Sequence, residues 1–198
     1  FTTLGAYALS KKSMKLRNPI MLMVSFTMFF SGGMIPTYLV VLELGMLNSW
    51  MAMVFPTAIN TFNLIIMRTS FQELPEELFE SVRMDGGNEW HNFFHIALPL
   101  SPAVLAVIVL YYAVYHWNSW MPAMMYLRTR SHYPLQLVLR EILINNDLNS
   151  MTTEAADTEY VAVTIKYATI VVATIPIMCV YPFLQKFFMK GVMVGAIK

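Results

Sequence analysis

Residues 19–42 read PIMLMVSFTMFFSGGMIPTYLVVL, 24 consecutive positions without a charge. As a helix such a run rises about 36 Å, more than the ~30 Å hydrocarbon core of a bilayer. Three further runs share the property. Leu44–Met67 is uncharged for 24 residues, Leu98–Trp117 carries a single ionisable group, His116, at its end, and Tyr167–Gln185 is uncharged for 19. Together they predict an all-α integral membrane protein. Pro36, Pro56, Pro176 and Pro182 fall inside these runs and are expected to kink or break the helices, which a bundle tolerates where neighbours satisfy the freed carbonyls.

Composition agrees. Of 198 residues, 57% are hydrophobic and only 13% charged, about half the charged share of a soluble domain. The mean hydropathy is +0.54. The net charge of +1 and the lack of a basic stripe interleaved with aromatics give no sign of nucleic-acid binding. The lone cysteine, Cys179, cannot build a disulfide framework and reads as a small buried hydrophobe. The 17 methionines suit adaptable packing in an apolar bundle better than a metal or redox role. Phe1–Ser10 is apolar but spans only about 15 Å as a helix, so it reads as the last turns of a span that begins before Phe1. No cleavage site follows it, which argues against a signal peptide.

Orientation follows from the basic residues. Placing Lys11, Lys12, Lys15 and Arg17, then Arg68 and Arg83, then Lys186, Lys190 and Lys198 in the cytoplasm puts nine inside. Arg128, Arg130 and Arg140 remain outside, with Lys166 at the boundary. Two connections are then too long for turns: a cytoplasmic loop, 68–96, and an external one, 119–165. In the external loop, Tyr133–Leu143 reads as a surface helix and Asn145–Thr158 as a solvated polar run.

The cytoplasmic loop reads RTSFQELPEELFESVRMDGG over residues 68–87. Pro75 stands where a helix would start, and Glu76, Glu77 and Glu80 suit its positive end. Gly86 and Gly87 offer a C-cap, and Asn88 can cap a second short helix, Glu89–His95. Leu74, Leu78 and Val82 recur every four residues, giving one apolar face. That pattern fits a helix lying at the lipid interface as well as one inserted into a cytoplasmic partner.

The spacing of this loop resembles a known family. Glu80-Ser81-Val82, three residues, Gly86, nine residues, then Ile96-Ala97-Leu98-Pro99 is similar to the EAA loop of ABC importer permeases, in which Glu-Ala-Ala, a Gly and Ile-x-Leu-Pro are spaced alike. Leu74-Pro75-Glu76-Glu77 and Arg83-Met84-Asp85-Gly86 match its sugar-importer branch. Ser81 and Val82 depart from it by replacing both alanines, and the bulkier valine requires a wider partner groove. Phe30 to Thr37, His116 to Trp120, Tyr133-Pro134-Leu135-Gln136 and the tail Gly191–Lys198 extend the resemblance over nearly the whole chain. The nearest branch handles polysaccharide-derived oligosaccharides, including alginate-type substrates.

The resemblance implies a type I ABC importer transmembrane domain, a single multi-pass unit of the bacterial inner membrane. Such permeases have six spans with both termini inside, so this chain would lack about the first span and a half. It also implies partners: a second permease, expected to be a different chain, two cytoplasmic ATPases holding the ATP and Mg, and an extracytoplasmic solute-binding protein. The elbow would be the coupling helix, with Glu80, Ser81, Val82, Arg83, Asp85 and Gly86 its working residues. The tail Gly191–Lys198 would also reach the ATPase pair, and the external loop would reach the binding protein.

Polar residues within the spans are candidates for a translocation path. Asn60 and Asn63 stand near the middle of one span, where an unpaired amide would cost about 2–7 kcal/mol, so each must meet a partner or a wet cavity. Interhelical hydrogen bonding explains them without a substrate. Tyr112, Tyr115, Trp117 and Asn118 lie near the outer end of the next span. An interfacial aromatic belt accounts for the rings, and so would a wall guiding the apolar faces of sugars.

Other chemistries lack their residues. There is no phosphate-binding Gly-x-x-x-x-Gly-Lys-Ser/Thr loop, so the chain is read as a transport subunit without its own ATPase site or cofactor. His91 and His95 have metal-ligand spacing but no third ligand nearby. The four runs lack the paired ionisable groups of an intramembrane enzyme and the carboxylates of an ion-coupled transporter. The reading is therefore an ATP-driven importer permease for sugars or oligosaccharides. The alternative is a permease of the same type for a non-sugar solute such as an amino acid or phosphate.

Overall fold

The computed structural model describes residues 1–152 and 156–195, with side chains for 1–146 and 161–182. Residues 153–155, in the loop expected to be external, and 196–198 of the tail lie outside the described residues, and so do the side chains of Lys186, Lys190 and Lys198. All regular elements among the described residues are helical: α1 (Thr2–Ser10), α2 (Arg17–Phe29), α3 (Met34–Glu43), α4 (Trp50–Val54), α5 (Thr61–Gln72), α6 (Glu76–Met84), α7 (Glu89–Asn92), α8 (Leu98–Leu100), α9 (Pro102–Trp117), α10 (Trp120–Tyr126), α11 (Leu135–Thr152) and α12 (Ala156–Gly195).

Among the described residues, only Val161–Pro182, within α12, is by itself long and apolar enough to cross a membrane. The stretches 19–42, 44–67 and 98–117 each contain a break. Arg17–Phe29 with Met34–Glu43, Trp50–Thr57 with Thr61–Gln72, and Glu89–Leu100 with Pro102–Trp117 pass the same test only as pairs bent by more than 40°. The breaks have local causes. Gly33 at φ 86° interrupts the first pair, with Pro36 in the opening turn of α3. Pro56 sits in the 3-10 turn Phe55–Thr57 that ends the α4 stretch. Pro176 and Pro182 do not break their helix: both lie inside the continuous α12.

Two compact units can be described separately. The first is built mainly from Phe1–Thr37 and Pro56–Leu110. Here α1 packs along α5, with Gly5 facing Leu64, whose Cδ1 would lie in ordinary van der Waals contact, 3.5 Å, with an added Cβ. Ala6, Leu9, Leu64, Met67 and Phe71 are buried in this contact region. Polar links reinforce it: Thr2 Oγ1 donates to the Ala58 carbonyl (3.3 Å) and Arg68 Nε to the Leu9 carbonyl (3.0 Å), an acceptor left over at the end of α1.

The second unit comprises Tyr38–Phe55 and Tyr111–Gln185. Met53, Ala123, Leu127 and Leu137 form one core cluster, and Val41, Ala52 and Tyr126 another. Asn48 joins the 44–50 turn to residues 126–129. At φ 59° it adopts the left-handed conformation that asparagine tolerates. Its Oδ1 accepts from the backbone N–H of Arg128 and Thr129, both at 2.9 Å, while Nδ2 donates to Thr129 Oγ1 at 2.8 Å. The surface helix expected at 133–143 runs on to Thr152, through much of the stretch read as a polar loop. No Gly or Pro interrupts 135–152, and Asn146 Nδ2 reaches the Ala162 carbonyl at 2.8 Å. Cys179, read as a buried hydrophobe, is exposed. It belongs to a helix whose apolar side chains find few neighbours within this chain, Val171, Met178 and Tyr181 among them.

Candidate functional site

The loop 68–96 folds as a helix–glycine–helix elbow. Pro75 is the N-cap of α6, whose first turn holds Glu76 and Glu77 and whose last turn holds Arg83, an arrangement matched to the helix dipole. The other end closes with a Schellman motif. Gly86 N–H donates to the Arg83 carbonyl (3.1 Å) and Gly87 N–H to the Val82 carbonyl (2.8 Å). Gly86 is left-handed, at φ 79°. Gly87 is required for a different reason: a Cβ there would collide with Val82 Cγ1 and lie 2.9 Å from the Val82 carbonyl oxygen. Asn88 Oδ1 then accepts from the His91 N–H (2.9 Å) and starts α7, and the backbone widens to a π turn over Phe93–Ala97 before Pro99.

What holds the elbow in place is a polar and aromatic anchor that sequence periodicity missed. Glu89 collects three donors. Tyr7 Oη donates to Oε2 at 2.8 Å, Arg83 Nη2 lies 3.1 Å from Oε1, and Lys11 Nζ stands 3.6 Å from Oε2. Below them Phe79 is buried, and the Lys11 ammonium lies 3.6 Å from its ring centroid. Tyr7 meets Phe93 at 5.2 Å and Phe71, edge on, at 5.9 Å. The inward residue of α6 is thus Phe79, one position past Leu78, which is 37% exposed. The four-residue stripe of Leu74, Leu78 and Val82 therefore does not mark the residue that seats the helix.

The electrostatics of the pair are asymmetric. Burial raises Glu89, but hydrogen bonds from Tyr7 and Arg83, with attraction to Lys11 and Arg83, more than offset it and leave its pKa below the ordinary value. Lys11 is also held below its ordinary value, because burial outweighs its attraction to Glu89. Both shifts are downward, yet they favour opposite states, the charged carboxylate at Glu89 and the neutral amine at Lys11, because Glu89 has several donors while the more deeply placed Lys11 has one close carboxylate.

The residues expected to do the coupling divide into two sets. Glu80, Ser81, Arg83, Asp85 and Gly86 are exposed and Val82 is half-buried. Arg83 is engaged within the elbow through Glu89, and Ser81 Oγ donates to the Leu78 carbonyl (2.9 Å). Glu80, Asp85 and the neighbouring Met84, 89% exposed, remain on the outer surface.

The residues named for a translocation path are divided between the two units. Asn60 caps α5, its Oδ1 accepting from the Asn63 N–H at 3.1 Å. Asn63 is buried with Leu64, Met67 and Phe71 on α5. In the second unit Trp117 Nε1 donates to the Ala173 carbonyl (3.1 Å), and Asn118 Nδ2 turns back to the Val114 carbonyl (2.8 Å). Tyr112 stacks on His116 at 6.4 Å, and Tyr115 meets the same ring edge on at 5.3 Å. His91 and His95 stack at 4.1 Å on the exposed side of the elbow.

Residues 2–194 match the family described as binding-protein-dependent transport system inner membrane component. The chain belongs to this family. The permease is 48% identical over 202 residues to the polygalacturonan/rhamnogalacturonan transport system permease protein YtcP of Bacillus subtilis (strain 168), covering all of this chain and 70% of that protein. It is 50% identical over 202 residues to protein LplC of the same organism, covering all of this chain and 68% of that one. Among solved structures it superposes, with a TM-score of 0.80 and 33% identity, on a chain from the crystal structure of a bacterial ABC transporter involved in the import of the acidic polysaccharide alginate. That match covers 94% of this chain and 69% of the other. The permease therefore has the type I ABC importer transmembrane fold, and it is a transport subunit of the inner membrane.

Proposed function

We propose that the permease is the membrane-spanning subunit of an ATP-driven importer of oligosaccharides, and that the elbow of α6 and α7 passes closure of partner ATPases to the membrane helices. The observation that carries the coupling role is the division within the elbow. One side is anchored to α1 through Glu89 and Phe79, while Glu80, Met84 and Asp85 stand free on the other. A rigid element held on one side and open on the other can make different contacts in two states, which transmission of work requires. Conventional distribution of the basic residues supports a cytoplasmic elbow. Two ATPases, a second permease and an extracytoplasmic binding protein complete the proposed assembly.

Support for a carbohydrate substrate comes from the relatives whose names state one. Polygalacturonan and alginate are both uronic-acid polymers, so oligosaccharides bearing carboxylates are the first substrates to try. Those names weigh against an amino acid or phosphate. The test is ATP hydrolysis by the complete transporter in proteoliposomes with its binding protein. Uronate oligosaccharides should stimulate it and amino acids should not; stimulation by amino acids alone would reject the proposal. In the same assay Gly86→Val, which strains the left-handed turn, should lose most uptake per ATP hydrolysed. Tyr112→Ala and Asn63→Leu would test the path: an unchanged substrate preference in both would remove these residues from it.

A further inference from the structure

A cavity of about 340 Å³ opens beside the base of the elbow, in the first unit. That size is at the lower end of small-ligand sites, about 300–1,000 Å³. Lys11, Lys12, Arg17 and Glu76 supply its charged lining, and Phe71, Leu74 and Phe79 its apolar lining. The charges do not balance. Lys11 is matched by Glu89 and Lys12 by Glu76, each at 3.6 Å. Among the described residues, no carboxylate lies within ion-pair distance of Arg17 or of nearby Arg68. Arg17 Nε reaches only the neighbouring Asn18 side chain, at 3.5 Å. Arg68 is held below its ordinary pKa, by burial first and by repulsion from Arg17 second. Within the cavity itself the Arg17 guanidinium is therefore left without an acidic partner and can receive an anion from outside the chain.

We infer that this cavity binds the phosphodiester headgroup of an anionic phospholipid. Arg17 opens α2, which leads directly into the uncharged run 19–42, so its guanidinium stands where lipid phosphates lie. Guanidinium groups bind phosphate oxygens in a planar two-point fashion that lysine cannot reproduce. The phenyl and leucyl lining suits the glycerol and upper acyl carbons, which a free phosphate ion lacks. A bound headgroup would bridge the start of α2 to the first turn of α6. Membrane lipid would then set how firmly the elbow is seated. The inference rests on the proposed cytoplasmic orientation, but its readout does not depend on transport.

Full-length permease in detergent would be mixed with phosphatidylglycerol or phosphatidylcholine and the bound lipid counted by native mass spectrometry. Wild type should retain phosphatidylglycerol preferentially. Arg17→Gln should retain it about fivefold less, as should Lys12→Gln, whose largely exposed side chain makes a folding defect an inadequate explanation. Arg17→Lys should recover part of the loss. Equal retention of the two lipids by wild type, or unchanged phosphatidylglycerol retention in both glutamine variants, would overturn the inference. Displacement of the lipid by millimolar inorganic phosphate would overturn the lipid assignment and leave a simple anion site. Oligosaccharide-stimulated ATPase activity with no lipid preference would count against this inference alone, leaving the transport reading intact.

Discussion

Gly86 and Gly87 are adjacent and fail in different ways when replaced. At Gly86 only the left-handed backbone is at stake, since nothing lies within 4 Å of an added Cβ; alanine should cost about 1–2 kcal/mol. At Gly87 the obstacle is the Val82 carbonyl itself, so the turn must move. Gly87→Ala should therefore lower the thermal midpoint of the purified permease more than Gly86→Ala does, and the reverse order would contradict the Schellman geometry. Asn48 is the corresponding point in the second unit. Asn48→Ala removes three hydrogen bonds and places alanine at positive φ, for an expected loss of about 2–4 kcal/mol, measurable by thermal unfolding. A loss below ~0.5 kcal/mol would show that water replaces the amide. The caps at Pro75, Gly86 and Asn88 were legible because each is satisfied by residues within a few positions of it. Asn48 was not: its partners lie some eighty residues on, and nothing near 48 announces them.

At the scale of elements the elbow is seated by α1, and Glu89 is the joint. Its carboxylate is held below the ordinary glutamate value of 4.5, so its ionised form stabilises the folded elbow fully above that value. The contribution is lost as pH falls below 4.5 through the lowered pKa. Lys11 acts at the other extreme. Its folded value is below 10.5, so stability rises as pH climbs through the interval between them. Hydrogen exchange of the α6 and α7 amides, corrected for the intrinsic pH dependence of exchange, should thus show constant protection near neutrality and falling protection in acid. Glu89→Gln should remove that acid dependence while costing about 1 kcal/mol, given that the group is half exposed; an unaltered acid profile in the variant would assign it to another carboxylate. Sequence periodicity could not place this joint. The Leu74, Leu78 and Val82 stripe announces an amphipathic helix, yet the seat is Phe79, chosen by Tyr7 and Lys11 from a distant helix. Likewise α11 outran its expected end at Leu143, because weak helix formers such as Asn145 and Asn146 lower propensity without blocking the helix, and Asn146 gains a bond to α12.

Across the whole molecule, the uncharged runs identified a membrane protein from composition alone, but not the breaks within them. Hydropathy counts apolar residues and is indifferent to a bend, whereas Gly33 and Pro56 act on backbone dihedrals. Pro176 and Pro182 show the limit of that rule, since α12 continues through both. Many apolar side chains of α2, α3 and α12, Phe29, Ile35 and Met178 among them, stay exposed in the isolated chain, as expected of surfaces completed by lipid and partner subunits. The proposed coupling requires an ATPase subunit to meet the outer face of the elbow. Ser81→Cys, in a full-length permease whose native cysteines, Cys179 among them, are replaced by serine, places one reactive thiol on that exposed face. In right-side-out and inverted vesicles carrying the complete, active transporter, an impermeant maleimide should label it only from the cytoplasmic side, and a short bifunctional cross-linker should join it to an ATPase subunit. Labelling from the outer side, or no adduct with an ATPase in a transporter that still imports substrate, would contradict the proposed coupling role.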